Sequence, residues 1–264
     1  MQIITAANKL YFGALLNLVG SLHYWSGNYE ITVYDLGLGD RLLNEIKKWR
    51  NVVLVENFLD SSIPDHCSNL LQYAWKPYVI DHALSSYDQV LWIDAGSDTR
   101  EPLYRIEQLF RRDGHFFAQG QDLDMTVMSL PQTYKLLGCD RADFRGKGHY
   151  CAGLQGYTRY SLAYDKILQP MLEAASIPEC IAPMGSNSQN HRYDQTLLSI
   201  FAYRSGLALP PNTHLLAALR SQLQTDPKVV SSRIVYSARR TSIEYIWAVK
   251  NHKGEQLYVR PESS

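Results

Sequence analysis

The chain has 264 residues, 45% of them hydrophobic and 20% charged, enough to bury a sizeable core as one large domain or two small ones. Lysine plus arginine equals aspartate plus glutamate at 26 each, so the overall balance favours neither nucleic acid nor an anionic membrane surface. Four cysteines, Cys67, Cys139, Cys151 and Cys180, show no C-x-x-C spacing and no clustering with histidine, which argues against a zinc site or a disulfide scaffold.

The apolar N-terminus, "MQIITAANKLYFGALLNLVGSLHYW", is interrupted by Asn8 and Lys9 and falls short of the roughly 18 apolar residues a spanning helix needs. It is expected to be a strand, "QIIT" (2–5), followed by a helix through Leu10, Leu15, Leu16, Leu18, Val19 and Leu22. A cytoplasmic location, or a peripheral one at the inner face of a membrane, is the expectation if the sequence is the full natural chain; the alternative is a longer protein with an anchor outside it. "YEITVYDLG" (29–37) is a strand leading to a turn, "RLLNEIKKW" (41–49) a helix, and "NVVLVEN" (51–57) a strand. "CSNLLQYAW" (67–75) is a helical turn or two, and Pro77 suits the first turn of the helix "PYVIDHALSSY". "QVLWID" is the fourth strand, because an apolar run ends there in a carboxylate. Strands separated by helix-length segments need crossover connections, so an α/β protein with a mostly parallel sheet covered by helices is predicted.

In the second half, "GHFFAQ" (114–119) and "HYCAGLQGYTR" (149–159) are predicted strands, and 159–176 a helix bent or ended near Pro170. A long polar loop, 177–190, precedes a helix over 191–206 that Gly206 terminates. Two β-rich segments around Asn251-His252-Lys253-Gly254 signal a hairpin. No composition shift marks a linker, so residues 1–264 are expected to form one compact unit of two parts.

Ligands of such sheets lie beyond the carboxyl ends of the strands, which lines up Thr5, Ala6, Ala7, Asp35 and Asp94 along one crevice. Asp94 with Asp98, in "VLWIDAGSD", could hold a divalent cation that neutralises a diphosphate; the alternative is a turn cap and a solvated loop residue. A phosphatase of the haloacid dehalogenase type would need an aspartate at position 96, which is glycine. "HRYDQ" (191–195) sets His191, Arg192 and Asp194 at a helix start, where Asp194 either caps the helix or accepts a proton. Gly153 and Gly156 interrupt a strand, marking a bulge or the close approach of another group. Lys76 and the pair Arg239-Arg240 are cations for a phosphate or simply solvated side chains. Gly37-Leu38-Gly39 lacks the third glycine of a dinucleotide fingerprint. The eight histidines form no H-x-x-x-H pair, although His191 or His214 could complete a carboxylate site.

Six strings, "NLVGSLHYW", "VYDLGLGD", "YAWKPYVIDHAL", "VLWIDAGSD", "CAGLQGY" and "PECIAPMGSNSQNHRYDQTLLSI", resemble in order and spacing a little-characterised family of nucleotide-diphospho-sugar transferase-like proteins among the GT-A glycosyltransferases, over roughly residues 3 to 206. The resemblance implies a GT-A fold, a Rossmann-like mixed, mostly parallel sheet flanked by helices with a smaller acceptor-side region, the nucleotide-binding half over about 1–112 and the donor-sugar and acceptor half over about 113–264. It implies a hexosyltransferase that uses a nucleotide sugar, UDP-linked in preference, and a glycan or lipid-linked glycan acceptor of surface polysaccharide such as lipopolysaccharide. Thr5, Ala6, Ala7, Asp35 and Lys76 would then meet the nucleotide, and Ala152, Gly153, His191 and Arg192 the donor sugar. Asp94 would match the first aspartate of the Asp-x-Asp signature that holds Mn2+ or Mg2+, with Asp98 standing in for the second, and Asp194 would be the base of an inverting reaction or would position the donor in a retaining one. The rival reading is an inactive sugar-nucleotide or glycan-binding module, since Gly96 replaces the second signature aspartate.

Overall fold

The structure, a computed structural model, describes residues 1–60, 63–218, 233–237 and 243–259, with the backbone alone at 121–123 and 217–218. Arg239 and Arg240 lie outside the described residues. The first half contains β1 (Gln2–Ala7), α1 (Phe12–Trp25), β2 (Ile31–Asp35), α2 (Asp40–Ile46), β3 (Val52–Val55), α3 (Trp75–Ser86), β4 (Gln89–Ile93), β5 (Asp98–Thr99) and α4 (Tyr104–Asp113). The second half contains β6 (His115–Asp124), α5 (Pro131–Leu136), β7 (Gly148–Thr158), α6 (Gln169–Ala175), α7 (Pro178–Ile181), α8 (Asp194–Arg204), β8 (Leu216–Ala218) and β9 (Val235–Ser237).

Six strands form one sheet in the order β3-β2-β1-β4-β7-β6. The first four are parallel, whereas β7 runs antiparallel to β4 and β6 antiparallel to β7. This is the mixed, mostly parallel sheet flanked by helices that the alternation of elements predicts. The chain leaves β1 toward β2 on one side and returns to β4 on the other, so the sheet has a switch point between β1 and β4, and sheets of this kind take their ligands beyond the carboxyl ends of the strands at such a point. Because β4 pairs with β7, the two halves of the chain share one sheet.

Period-2 alternation sorts the strand residues onto two cores. Ile4, Tyr34, Val90, Trp92 and Tyr157 pack on one face with Val79, Ile80, Ala83 and Leu84 of α3, Met171 of α6, and Leu197 and Leu198 of α8. Ile3, Val33, Leu91, Ile93 and Phe116 pack on the other with Leu15, Leu18, Val19 and Leu22 of α1 and with Ile106 and Phe110 of α4. Gly156 is explained here, since a Cβ at that position would stand 2.9 Å from the Phe110 ring; its close approach is to the core and not to a ligand.

Several elements differ from expectation. Between 159 and 176 the helix opens with a π turn, Tyr164–Leu168, ahead of α6, because Pro170 has no N–H with which to continue the α pattern. The loop over 177–190 contains the short helix α7. The C-terminal hairpin is present but short: Asn251 N donates to Glu255 O at 2.8 Å and Leu257 N to Val249 O at 3.0 Å around an antiparallel bridge, Lys250 to Gln256, while Ile246–Ala248 before it is a 3-10 turn. A second sheet, β5-β9-β8, has no counterpart in the sequence reading, since its strands have two or three residues and show no periodicity.

α1 is clamped by the C-terminal segment. The backbone of Tyr245 crosses so near Gly20 that a Cβ there would meet the Tyr245 carbonyl oxygen at 1.9 Å, and Tyr245 N donates to Asn17 Oδ1 at 2.8 Å. Gly20→Ala is therefore expected to cost about 1–3 kcal/mol by forcing backbone apart. Gly13→Ala in the same helix meets nothing within 4 Å and is expected to gain up to about 1 kcal/mol. Thermal unfolding of the two variants checks this: equal Tm values would refute the clamp.

Candidate active site

At the carboxyl end of β4 the chain turns sharply, Ser97 N donating to the Asp94 carbonyl at 2.9 Å. Asp94 N donates to Gly153 O at 2.9 Å, which fixes the aspartate against β7. Trp92 lies two residues earlier, on the same face of the strand, and its Nε1 donates to Asp94 Oδ1 at 2.7 Å. The other oxygen, Oδ2, stands over Gly153, where a Cβ would come within 2.8 Å of it. Glycine at 153 thus makes room for a carboxylate.

Lys76, in the first turn of α3, reaches into this corner. Its Nζ lies 3.0 Å from Asp94 Oδ1 and 2.7 Å from Asp194 Oδ2, and donates to Ala152 O at 3.3 Å. The lysine and Asp194 side chains are 3% and 6% exposed, while that of Asp94 is 42% exposed. Burial works against the ammonium, but Asp194 and Asp94 outweigh it and hold the Lys76 pKa above its ordinary value. Burial pushes the Asp194 carboxyl up, with Lys76 pulling the other way. The corner therefore holds one buried cation between two carboxylates, of which Asp94 faces the crevice.

Aromatic rings surround the ammonium. Nζ lies 5.4 Å from the ring centres of Tyr73 and Trp92 and 5.9 Å from that of Trp75, distances at which the ring faces attract a cation. Tyr73 and Tyr193 are in tilted contact at 6.2 Å. Both take left-handed φ values, 55° and 47°, and Tyr193, with ψ −118°, lies outside the small left-handed well. Such a conformation costs about 1–3 kcal/mol and persists only where packing enforces it. It sits immediately before Asp194 and aims that side chain at Lys76.

Lys76, Asp94, Ala152, Gly153 and Asp194 are therefore brought together, as a strand end, a helix start and a glycine-containing strand would allow. The other candidates have different surroundings. Thr5, Ala6 and Ala7 are buried at the end of β1, with Ala7 paired to Asp35. Asp35 Oδ1 accepts from Gly37 N and Leu38 N at 2.8 and 2.7 Å, capping the turn after β2. His191 is fully buried; its Nε2 donates to Ile181 O at 2.9 Å and its Nδ1 accepts from Leu130 N at 3.2 Å. Both nitrogens bind backbone, so His191 is a tie between loops rather than a contact for a sugar. Arg192 is half-buried beside Asp194, and His214 is exposed ahead of β8. Asp98 is fully buried, with Oδ1 accepting from Arg100 Nε at 2.8 Å and Oδ2 from Asn17 Nδ2 at 3.1 Å. The expectation that Asp98 joins Asp94 on a metal is corrected by this geometry: its carboxylate anchors the small sheet to α1.

Sequence reasoning missed Tyr73, Tyr193 and Trp92. For Trp92 the signal was present, a tryptophan two residues before an aspartate on one strand; for the tyrosines nothing in the sequence announces a positive φ.

No known protein-family model matches the chain, and no curated protein matches it by sequence. Solved structures do match. The galactosyltransferase LgtC in complex with donor and acceptor sugar analogs superposes with a TM-score of 0.53 at 14% identity, covering 94% of this chain and 89% of that one. The bifunctional glycosyltransferase WbbM in its apo form gives 0.57 at 11% identity over 89% of this chain, which spans 45% of WbbM. Core-mannan synthase A from Aspergillus fumigatus, in a Mn/GDP form, gives 0.50 at 11% identity, covering 76% and 68%. What this chain shares with them is the fold, that of GT-A glycosyltransferases.

That fold implies a divalent cation at the Asp-x-Asp position. The residues present do not fit one: Lys76 and Trp92 take Asp94 Oδ1, position 96 is glycine, and Asp98 is engaged elsewhere. Among the described residues no group of three His, Cys, Asp or Glu side chains could hold a metal.

Two outcomes follow from the geometry. Lys76→Met leaves two carboxylates facing each other without their cation and is expected to cost about 3–5 kcal/mol, measured by urea denaturation at pH 7. Burial lowers the His191 pKa to about 4, so the unfolded chain takes up a proton below about pH 6.5 while the native one does not until about 4. Stability accordingly falls as pH falls through that window, by roughly 2 kcal/mol between pH 7 and pH 5 from this residue. His191→Gln should flatten the profile, and an unchanged profile would remove this assignment.

Proposed function

We propose that the protein is a glycosyltransferase that moves a hexose from a nucleotide sugar, a UDP-sugar in preference, to a hydroxyl of a glycan acceptor. The observation that carries this reading is the Lys76–Asp94–Asp194 cluster at the switch point of a GT-A sheet, the place where this class of sheet takes its ligands. The sugar nucleotide would lie across the carboxyl ends of β1 and β2, near Thr5, Ala6, Ala7 and Asp35, with its hexose against Ala152, Gly153 and Asp94.

A carboxylate open to the crevice and a second behind a shared ammonium suit the hydroxyls of a pyranose, each of which can donate a hydrogen bond. Chemically, the bond from the anomeric carbon to the diphosphate oxygen breaks, a bond to the acceptor oxygen forms, and the acceptor hydroxyl passes its proton to the departing diphosphate, which leaves with the electron pair of the broken bond. Asp194 is better placed to orient the donor than to take that proton, because Lys76 stands 2.7 Å from its Oδ2 and little of the side chain is open. The Tyr73–Tyr193 wall supports the same reading, since the apolar face of a sugar ring packs well on an aromatic one. An acceptor on a lipid-linked surface polysaccharide, met at the inner face of a membrane, is the setting we propose; among the described residues no helix is long and apolar enough to cross a membrane.

Incubation with a panel of UDP- and GDP-hexoses and a pool of glycan acceptors should release nucleoside diphosphate. Asp94→Asn and Asp194→Asn are each expected to lower kcat by about 10²–10³. Turnover at the wild-type rate in both variants would contradict the assigned roles, and silence with every donor would favour a binding module.

A further inference from the structure

We propose that this protein binds and releases its nucleoside diphosphate without a divalent metal, the Lys76 ammonium holding the electrostatic place beside Asp94 that a bridging cation would take. The inference rests on the nucleotide-sugar reading above and deepens it.

Hard divalent cations gather about six or more oxygen ligands, several of them carboxylate, carbonyl or phosphate oxygens. The corner around Asp94 is built for another partner. Asp94 Oδ1 already receives the Trp92 indole N–H at 2.7 Å and the Lys76 ammonium at 3.0 Å. Oδ2 faces Gly153, which carries no side chain, and the residue two positions after Asp94 is Gly96. The next carboxylate along the chain, Asp98, is fully buried and spends one oxygen on Arg100 and the other on Asn17. A dication on the open side of Asp94 would also stand close to an ammonium held at that carboxylate.

In the transfer step the diphosphate departs with the electron pair of the broken carbon–oxygen bond. That charge is then met by hydrogen-bond donors and cations of the chain itself rather than by a divalent ion.

Titration calorimetry of UDP and of GDP into chelator-treated protein, in EDTA and again with millimolar Mn2+ or Mg2+, tests this. The expected result is a Kd that agrees within threefold across the conditions, with no stoichiometric Mn2+ signal from the protein in electron paramagnetic resonance. Gly96→Asp, which restores the second carboxylate of the signature, is expected to bring a Mn2+ signal that the wild type lacks. Binding tightened tenfold or more by Mn2+, or a wild-type Mn2+ site lost in Asp94→Asn, overturns the inference, as does failure of either nucleotide to bind in any buffer. Donor turnover on the same samples keeps the two readings apart: diphosphate binding in EDTA without turnover of any sugar nucleotide sinks the transferase and leaves the metal-free binding site standing.

Discussion

One ammonium group organises this molecule. Lys76 comes from the first turn of α3, Asp94 from the end of β4 and Asp194 from the start of α8, three elements far apart in sequence that meet within 3.0 Å of one nitrogen. A buried charge is tolerated only when its partners are in place, so the three elements cannot shift independently. Trp92 and Gly153 serve the same point, one by donating to Asp94 and the other by leaving it room. The strained backbone at Tyr193 immediately precedes this helix-start carboxylate, which meets the lysine while also receiving the Gln195 N–H of its own first turn.

The frame of the fold was legible because its signal is repetitive. Apolar strands and helix-length segments alternate from residue 2 to residue 93, and each predicted strand of that stretch is present, as are β6 and β7. The small sheet was not legible: β5 has two residues, and β8 and β9 derive their order from pairing across long stretches of chain. The terminal hairpin was legible in its turn, Asn251 to Gly254, but not in how short its paired arms are. β-branched and aromatic residues near 246–249 pack on α1 and its neighbours, and packing overrode strand propensity.

The candidate site was legible in its members more than in its wiring. Asp94, Lys76, Gly153 and Asp194 stand out as polar or small residues at element ends, and they converge. Their pairing is a tertiary fact: nothing local to "WKP" says that its lysine will neutralise two aspartates. Asp98 shows the opposite error. Spacing alone made it a companion of Asp94, yet the chain reverses at Ser97, and Asp98 enters a different sheet with Arg100 and Asn17 as partners. His191 was selected for its chemistry, whereas its neutral ring ties Leu130 to Ile181 and so steadies the loop that leads into Asp194.

Gly153 shapes the corner by what it leaves out. A methyl group there would stand 2.8 Å from Asp94 Oδ2, so a larger residue must displace the carboxylate while the β4–β7 pairing can remain, and the chemistry of the corner thus depends on a residue that contributes no functional group of its own.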